Sequence, residues 1–265
     1  LFRVRNQKYD LVFDFFGNPR SAIITFLTGA RQRVGYDYRI RKYAYNVVVQ
    51  SRANMVHEAE WHLDAIRALG LPIVSKKLNF EVGQGSKKFA EVFWQENHLD
   101  SKRPVCALNF SAGWSTKKWP LSRWAQLADF VISKHKAAII LLWGPDEKED
   151  ALKLQSLIKN DTILVPLTNL KQLAAILEKC DFLLTTDSGP MHIAAAMNTP
   201  CVVIFGPTNP DLQGPYGNGH KIIRNLQLNC LACNLTSCSH ISCMQNLSVF
   251  TVFEELDQYM ASVSA

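Results

Sequence analysis

Residues 182–206 read FLLTTDSGPMHIAAAMNTPCVVIFG and contain two apolar runs separated by a helical stretch. The runs Phe182–Thr186 and Cys201–Phe205 are continuous rather than alternating, as is typical of strands buried on both faces of a parallel sheet. Pro190–Met197 between them has a helical pattern, and proline suits the first turn of a helix. A strand, a helix and a second strand joined by short loops predict a parallel βαβ unit.

The same alternation extends upstream as far as Val105. The predicted strands are Val105–Phe110, Ala138–Trp143 and Thr162–Val165, and the predicted helices are Leu121–Lys134, Lys148–Ile158 and Leu170–Lys179. Repeated strands and helices with short loops predict a doubly wound α/β domain.

The first hundred residues contain a shorter version of this pattern. The predicted strands are Tyr9–Phe16, Arg33–Tyr36 and Val47–Gln50, and the predicted helices are Arg20–Leu27 and Glu58–Leu69. This amounts to about half of a Rossmann-like domain. A boundary within residues 83–102 therefore predicts an incomplete N-terminal domain, 1–100, and a C-terminal domain, 101–265. The second domain ends with a Cys-rich irregular loop and a helix around Val252–Val263.

Composition limits the class of protein. The chain has 265 residues, of which 48% are hydrophobic and 20% charged, as is typical of a soluble globular protein. No apolar run approaches the length that a membrane helix needs. Seven cysteines, an odd number, do not suggest a secreted disulfide framework, so we predict a cytoplasmic location. The chain begins at Leu1 with neither a signal peptide nor an initiating Met, so we expect further sequence upstream.

The net charge of +6 is concentrated in the first hundred residues, where 15 Lys and Arg face 10 Asp and Glu. Five basic residues fall close together, namely Arg31, Arg33, Arg39, Arg41 and Lys42. One interpretation is a solvated basic face. The other is a surface for an anionic partner such as an acidic sugar, a phosphate or a membrane headgroup. Nucleic acid is disfavoured because no helix-turn-helix, zinc-finger or RNA-binding signature accompanies these residues.

One loop of the second domain has the features of a phosphate site. In a doubly wound sheet, ligands bind at the loops that follow the carboxyl ends of the strands. Asp187 and Ser188 follow a predicted strand and are good N-cap residues, and Gly189 allows a ligand to approach the backbone. The helix that begins here places His192 in its first turn, and its dipole favours an anion. A well-capped helix with a surface histidine is the alternative interpretation.

Three further loops follow predicted strands and suit a sugar or an anion. Ser111–Pro120 offers small residues, hydroxyls and a cation, Lys117. Trp143–Glu147 places carboxylates where a ribose presents its diol, and Phe205–Pro210 forms a rigid turn rich in Gly and Pro. Each loop alone also fits an ordinary solvated turn. Together, at one edge of one sheet, the four loops predict a site for an anion or a sugar.

Several of these segments stand in the order and spacing of glycosyltransferase family 9, the ADP-heptose:lipopolysaccharide heptosyltransferases. They are Lys117–Pro120 (KKWP), Trp143–Glu147 (WGPDE), Asp187–His192 (DSGPMH) and Gly206–Pro210 (GPTNP). In the first half, Tyr9–Ser21 (YDLVFDFFGNPRS) resembles the YDLVIDLQGNLRS of that family, and Arg33–Tyr36 (RVGY) resembles its RRIGF segment.

The resemblance implies an inverting GT-B enzyme with twin Rossmann-like domains, no metal and no other cofactor. Such an enzyme moves a heptose from ADP-heptose to the acidic inner core of lipopolysaccharide, in the cytoplasm or at the inner face of the cytoplasmic membrane. The resemblance assigns substrate binding to Ser111, Gly113, Lys117, Glu147, Thr168, Asp187, Ser188, Gly189, His192 and, in the first half, Arg20. On this basis Lys117 contacts the diphosphate, Glu147 the ribose, and the loop around Thr168 the adenine.

The resemblance leaves the catalytic base unassigned. Inverting transfer needs a carboxylate that accepts the proton of the acceptor hydroxyl. Family members open with a strand and a Gly-Asp loop whose Asp has this role, and no residue before Tyr9 matches that loop. We therefore expect the base to lie upstream and this chain alone to lack transfer activity. Asp14 is a possible substitute, and a buried turn residue is the other interpretation of it.

Two matters stay open at this point. Cys230, Cys233, Cys238 and Cys243 form C-x2-C-x4-C-x4-C with His240 between, whereas structural zinc sites usually separate two pairs by a dozen or more residues. A metal staple, disulfides and free thiols that brace a loop are all compatible with this spacing. The alternative functions are another GT-B enzyme acting on a UDP-sugar and an inactive nucleotide-sugar-binding fragment.

Overall fold

The computed structural model describes residues 2–263, and the chain divides into two compact units, Leu1–Lys76 and Lys77–Ala265. Every strand pair among the described residues is parallel, which confirms the predicted α/β class. The division assigns residues 84–96 to the second unit, whereas the sequence prediction placed all of residues 1–100 in the first domain. The reason is packing, since Phe93 and Trp94 are buried in the same hydrophobic core as Ile176 and Leu177.

The first unit contains a three-stranded sheet in the order β1-β2-β3. Its strands are β1 (Leu11–Asp14), β2 (Gln32–Tyr36) and β3 (Val47–Val49), and its helices are α1 (Phe2–Asn6), α2 (Pro19–Leu27) and α3 (Glu58–Arg67). A 3-10 turn, Arg39–Ala44, links β2 to β3. The three strands and the helices α2 and α3 confirm the sequence prediction, which did not include the 3-10 turn or α1.

The buried side-chain carboxylate of Asp14 stabilises the turn at the carboxyl end of β1. The two oxygens of Asp14 accept hydrogen bonds from the Gly17 amide at 2.8 Å, the Ser21 hydroxyl at 2.9 Å and the Tyr45 hydroxyl at 2.7 Å. Burial, followed by the hydrogen bond to Asp14, raises the pKa of Tyr45 well above its usual value. Gly35 makes room for that ring, because a Cβ atom there would lie 2.5 Å from it. The structure supports the interpretation of Asp14 as a buried turn residue.

The second unit contains a six-stranded sheet in the order β6-β5-β4-β7-β8-β9. Its strands are β4 (Val105–Asn109), β5 (Ala138–Leu142), β6 (Ile163–Leu164), β7 (Phe182–Thr186), β8 (Cys201–Ile204) and β9 (Lys221–Ile223). The sheet grows in one direction from β4 and in the other from β7, which is the strand order of a Rossmann domain. The continuous apolar runs in the sequence correspond to these central strands, which are buried on both faces.

Helices cover both faces of this second sheet. They are α4 (Gln84–Glu96), α5 (Leu121–His135), α6 (Lys148–Leu157), α7 (Leu170–Lys179), α8 (Gly189–Ala196), α9 (Pro210–Gln213), α10 (Ser242–Gln245) and α11 (Val249–Val263). The core containing Leu108 includes residues of α5, α6 and α11, and the core containing Leu183 includes residues of α4, α7 and α8. No helix within residues 2–263 is long and apolar enough to cross a membrane.

The contact between Gly35 and Tyr45 gives a test of the first unit. Gly35→Ala forces a methyl group against the buried ring, and overpacking of this kind typically costs about 1–3 kcal/mol. We expect faster amide hydrogen exchange in β1 and β2 together with a lower melting temperature. Gly85→Ala is the control, because a Cβ atom at this exposed helical position meets nothing within 4 Å. Equal exchange rates in the wild type and Gly35→Ala would contradict the role of this contact.

Candidate functional site

Strands β4 and β7 are neighbours, and later strands are added outward from β4 on one side and outward from β7 on the other. The loops that follow β4 and β7 therefore start side by side and run in opposite directions. In doubly wound sheets this switch point leaves a crevice at the carboxyl edge, where ligands bind. Asn109 is the last residue of β4 and Thr186 the last residue of β7. Of the residues predicted from sequence, Ser111, Asp187 and Ser188 follow these strand ends directly.

One buried amide joins the two loops. Asn109 is 2% exposed, and its Nδ2 atom lies 3.1 Å from the Ser111 carbonyl oxygen and 3.0 Å from the hydroxyl oxygens of both Thr185 and Ser188. The Thr186 hydroxyl donates to the same Ser111 carbonyl at 3.2 Å. The Ser111 hydroxyl donates back to Asn109 Oδ1 at 3.2 Å. The Asn109 amide and the Thr186 hydroxyl therefore hold the two loops together, and the hydroxyls of Ser111 and Ser188 are both bonded to Asn109.

A buried ion pair lies beside this network. The Nζ atom of Lys117 is 2.6 Å from Oδ2 of Asp187, and the two side chains are only 15% and 7% exposed. The Thr208 hydroxyl donates to the same carboxylate oxygen at 2.6 Å. The ammonium group also lies 4.2 Å from the centroid of the Trp114 ring, within the range of a cation–π interaction. Because an ammonium group donates three hydrogen bonds, Lys117 can bind an anion while it keeps Asp187.

The amino end of α8 faces open space. Ser188 occupies the N-cap position, but its side chain does not cap the helix and donates instead to the Thr186 carbonyl oxygen at 3.1 Å. A Cβ atom at Gly189 or at Gly113 would meet nothing within 4 Å, so a ligand can approach the backbone at both positions. His192 is exposed in the first turn of α8. A helix start of this kind favours an anion.

Glu147 and Thr168 follow the next two strands on the β4 side of the switch point. The Glu147 carboxylate accepts the Gly144 amide at 2.7 Å, and Thr168 is half-buried immediately before α7. The indole of Trp143 ties the two loops by donating to the Val165 carbonyl oxygen at 2.6 Å. Neighbouring strands lie about 4.8 Å apart, so the loops after β4, β5 and β6 span about 10 Å. This spread suits an extended nucleotide, with its phosphates at β4.

The basic residues of the first unit fall into two groups. The guanidinium of Arg33 donates to the carbonyl oxygens of Ala30 at 2.7 Å and Ala44 at 3.0 Å, so this side chain holds the backbone. Arg41 likewise donates to the Gly17 carbonyl oxygen. The exposed basic side chains of this unit include Arg20, Arg31, Arg39 and Lys42. Arg33 and Arg41 thus use guanidinium hydrogen bonds on backbone carbonyl oxygens, and the binding of an anionic partner by the basic segment stays a prediction.

The Cys-rich segment, residues 230–243, contains free thiols. Cys230 and Cys233 are exposed, whereas Cys243 is buried. Burial, followed by the neighbouring Cys233 and Cys230, raises the pKa of the Cys243 thiol. Within residues 2–263, no three His, Cys, Asp or Glu side chains converge in a geometry suited to a metal ion. The structure therefore agrees with thiols that brace a loop, one of the three alternatives compatible with the spacing.

Sequence reasoning missed three residues of the site, namely Asn109, Trp114 and Thr208. Asn109 carried a usable signal, since it is a polar residue within an otherwise apolar buried strand. Such a residue needs hydrogen-bond partners inside the protein. Trp114 carried no comparable signal, because a tryptophan three residues before a lysine does not by itself predict a cation–π contact. The Thr208 contact depends on how two loops distant in sequence fold against each other.

The described residues resemble proteins of one family in both sequence and fold. Residues 2–242 match the model of "Glycosyltransferase family 9 (heptosyltransferase)". "Lipooligosaccharide heptosyltransferase 2" of Haemophilus influenzae is 27% identical to the chain, and the match covers 83% of this chain and 67% of that protein. The chain thus spans about two thirds of the length of this relative.

Two solved structures share the fold. A glycosyl transferase of family 9 from Veillonella parvula superposes with a TM-score of 0.84 at 20% identity, over 98% of this chain and 77% of that one. The structure described as E. coli heptosyltransferase WaaC with ADP superposes with a TM-score of 0.70 at 21% identity, over 97% of this chain and 75% of that one. Because the family model matches nearly the whole chain, the protein belongs to glycosyltransferase family 9.

Proposed function

We propose that this chain carries the donor site of an inverting glycosyltransferase that moves a heptose from ADP-heptose to the inner core of lipopolysaccharide. The observation that carries the proposal is the position of Lys117 and Asp187 at the switch point between β4 and β7. A cation that is 15% exposed and lies beside a helix start suits the diphosphate of a nucleotide sugar. The relatives named heptosyltransferase support the choice of sugar and acceptor.

In this proposal the site stabilises the departing diphosphate. As the bond between the anomeric carbon and the diphosphate oxygen breaks, negative charge develops on the leaving ADP. Lys117 and the amino end of α8 are preorganised to interact with that charge, and the low exposure of the Lys117 side chain strengthens its part of the interaction. The incoming acceptor hydroxyl attacks from the opposite face of the sugar and loses its proton to a base. We assign no residue of this chain to that base.

The nucleoside part of the donor lies along the loops after β5 and β6 in this proposal. Glu147 keeps one carboxylate oxygen on the Gly144 amide, which orients the group toward a ribose diol. The loop around Thr168 borders the adenine. The relative whose structure contains ADP supports adenine over uracil as the base.

The acceptor side is proposed to lie on the first unit, and the enzyme is proposed to act in the cytoplasm at the inner face of the membrane. Ile40 and Tyr43 in the 3-10 turn and Phe26 on α2 are large apolar side chains exposed by more than half. The exposed Arg39 and Lys42 lie in the same turn. A surface that is both basic and apolar suits an acidic glycolipid and the anionic headgroups around it.

Donor binding is tested by titration with ADP and UDP in a calorimeter. We expect ADP to bind more tightly than UDP, and Lys117→Ala to weaken ADP binding by about 1.5–3 kcal/mol through loss of charge-assisted contacts with the diphosphate. Lys118→Ala is the matched control, because the neighbouring side chain is exposed. Equal weak binding of ADP and UDP would contradict the adenine assignment, and an unchanged affinity in Lys117→Ala would remove Lys117 from the site.

The acceptor surface is tested with vesicles that carry an inner-core glycolipid among anionic lipids. Replacing Arg31, Arg39 and Lys42 by Gln should weaken vesicle binding at low salt, by about 1 kcal/mol for each residue near the surface, and leave ADP binding unchanged. The difference should shrink as salt screens the charges. Lys87, Lys88 and Lys102, all exposed in the second unit, are changed to Gln as the control of equal charge. Equal losses in both triple variants would show an effect of net charge alone.

A further inference from the structure

The Cys-rich segment contacts the loops that carry Lys117 and Thr208, the two residues whose side chains bind the Asp187 carboxylate. On the loop after β8, the Ala232 amide donates to the Gly206 carbonyl oxygen at 3.3 Å, and the Asn234 amide donates to the Pro207 carbonyl oxygen at 2.6 Å. On the loop after β4, the Thr116 hydroxyl donates to the Leu235 carbonyl oxygen at 2.9 Å. The segment is thus bonded to the loops after β4 and β8.

Tight packing keeps the segment in this position. A Cβ atom at Gly206 would lie 2.7 Å from the sulfur of Met244 and 2.9 Å from that of Cys243, so these side chains rest directly on the glycine backbone. Both residues belong to the core that contains α5 and α11. The guanidinium of Arg123 donates to the carbonyl oxygens of Met244 at 3.2 Å and Leu247 at 3.0 Å, which ties the end of the segment to α5.

The contacts fall next to the residues of the ion pair. Thr116 directly precedes Lys117, and Pro207 directly precedes Thr208. Lys117 and Thr208 both interact with the same oxygen of Asp187. The Cys-rich segment therefore binds the residue directly before Lys117 and the residue directly before Thr208, whose side chains hold this carboxylate.

We propose that the Cys-rich segment is a positioning element of the donor site, with Thr116 as its key positioning residue. The identity of the ligand rests on the function proposed above. The 1% exposure of Thr116 and its bond to Leu235 direct its hydroxyl into the protein, so it acts through Lys117. A charged group that stabilises a leaving diphosphate must be held in place, because small displacements weaken such contacts sharply. The segment limits displacement of Lys117 and Thr208 together.

The first test compares three threonine variants by ADP titration and melting temperature. Thr116→Val removes the hydroxyl and keeps nearly the same side-chain shape. It should weaken ADP binding about tenfold, because the hydrogen bond that positions the loop of Lys117 is lost. Thr116→Ser keeps the hydroxyl and should restore wild-type affinity. Thr199→Val is the matched control, because the Thr199 hydroxyl is also buried and donates to a carbonyl oxygen, that of Leu177, at 2.7 Å. This control should melt earlier yet bind ADP normally.

The second test needs no nucleotide and follows alkylation of the buried Cys243 by N-ethylmaleimide, read by peptide mass spectrometry. Thr116→Val should label Cys243 faster than Thr199→Val does, because it releases the segment. Lys117→Met should also speed labelling, and Lys118→Met should not, because only Lys117 is linked to Thr208 through Asp187. If the wild type binds no ADP, the proposed function fails, while labelling still decides whether the segment and the ion pair are coupled.

Two results would overturn the proposal. The first is wild-type ADP affinity in Thr116→Val. The second is an equal rate of Cys243 labelling in Lys117→Met and Lys118→Met, because a segment that is not coupled to the ion pair would have only a structural role.

Discussion

The charge of Lys117 is held inside the protein, where an ion without a partner is costly, and Asp187 supplies the partner at 2.6 Å. Keeping this pair intact requires three loops to meet, because Lys117 follows β4, Asp187 follows β7 and Thr208 follows β8. The Rossmann strand order brings β4, β7 and β8 side by side, which makes that meeting possible. The amide of Asn109 then joins the loops after β4 and β7, and the Cys-rich segment joins the loops after β4 and β8.

A buried ion pair is weak evidence for stability, since replacing both charges by apolar residues is often neutral or stabilising. The stability of the fold alone therefore does not account for the Lys117–Asp187 pair, which is consistent with the donor role proposed above. Asp187 balances the ammonium charge, and in the proposed function the remaining hydrogens of Lys117 bind the diphosphate. The Thr208 hydroxyl donates to the same oxygen of Asp187 and so holds the carboxylate in place.

Much of the fold could be predicted from sequence because its central strands are continuous apolar runs and its helices have clear apolar faces. Helix α4 was missed, because the interpretation placed a domain boundary within residues 83–102, and its burial depends on α7, which lies far along the chain. The three-residue strand β9 is too short to give a pattern. At the site, loop order indicated that Ser111 and Ser188 would lie together. It could not indicate that their hydroxyls would be taken by Asn109, which is a property of the folded side chains.

The position of Ser188 has a consequence for the helix that it precedes. A serine at an N-cap typically stabilises its helix by about 1 kcal/mol, and Ser188 forgoes this because its hydroxyl donates to the Thr186 carbonyl oxygen. Helix α8 thus begins without a side-chain cap, at a glycine with open space beside it. In the proposed donor site, a phosphate of the ligand would accept hydrogen bonds from the first backbone amides of α8, as a capping side chain usually does.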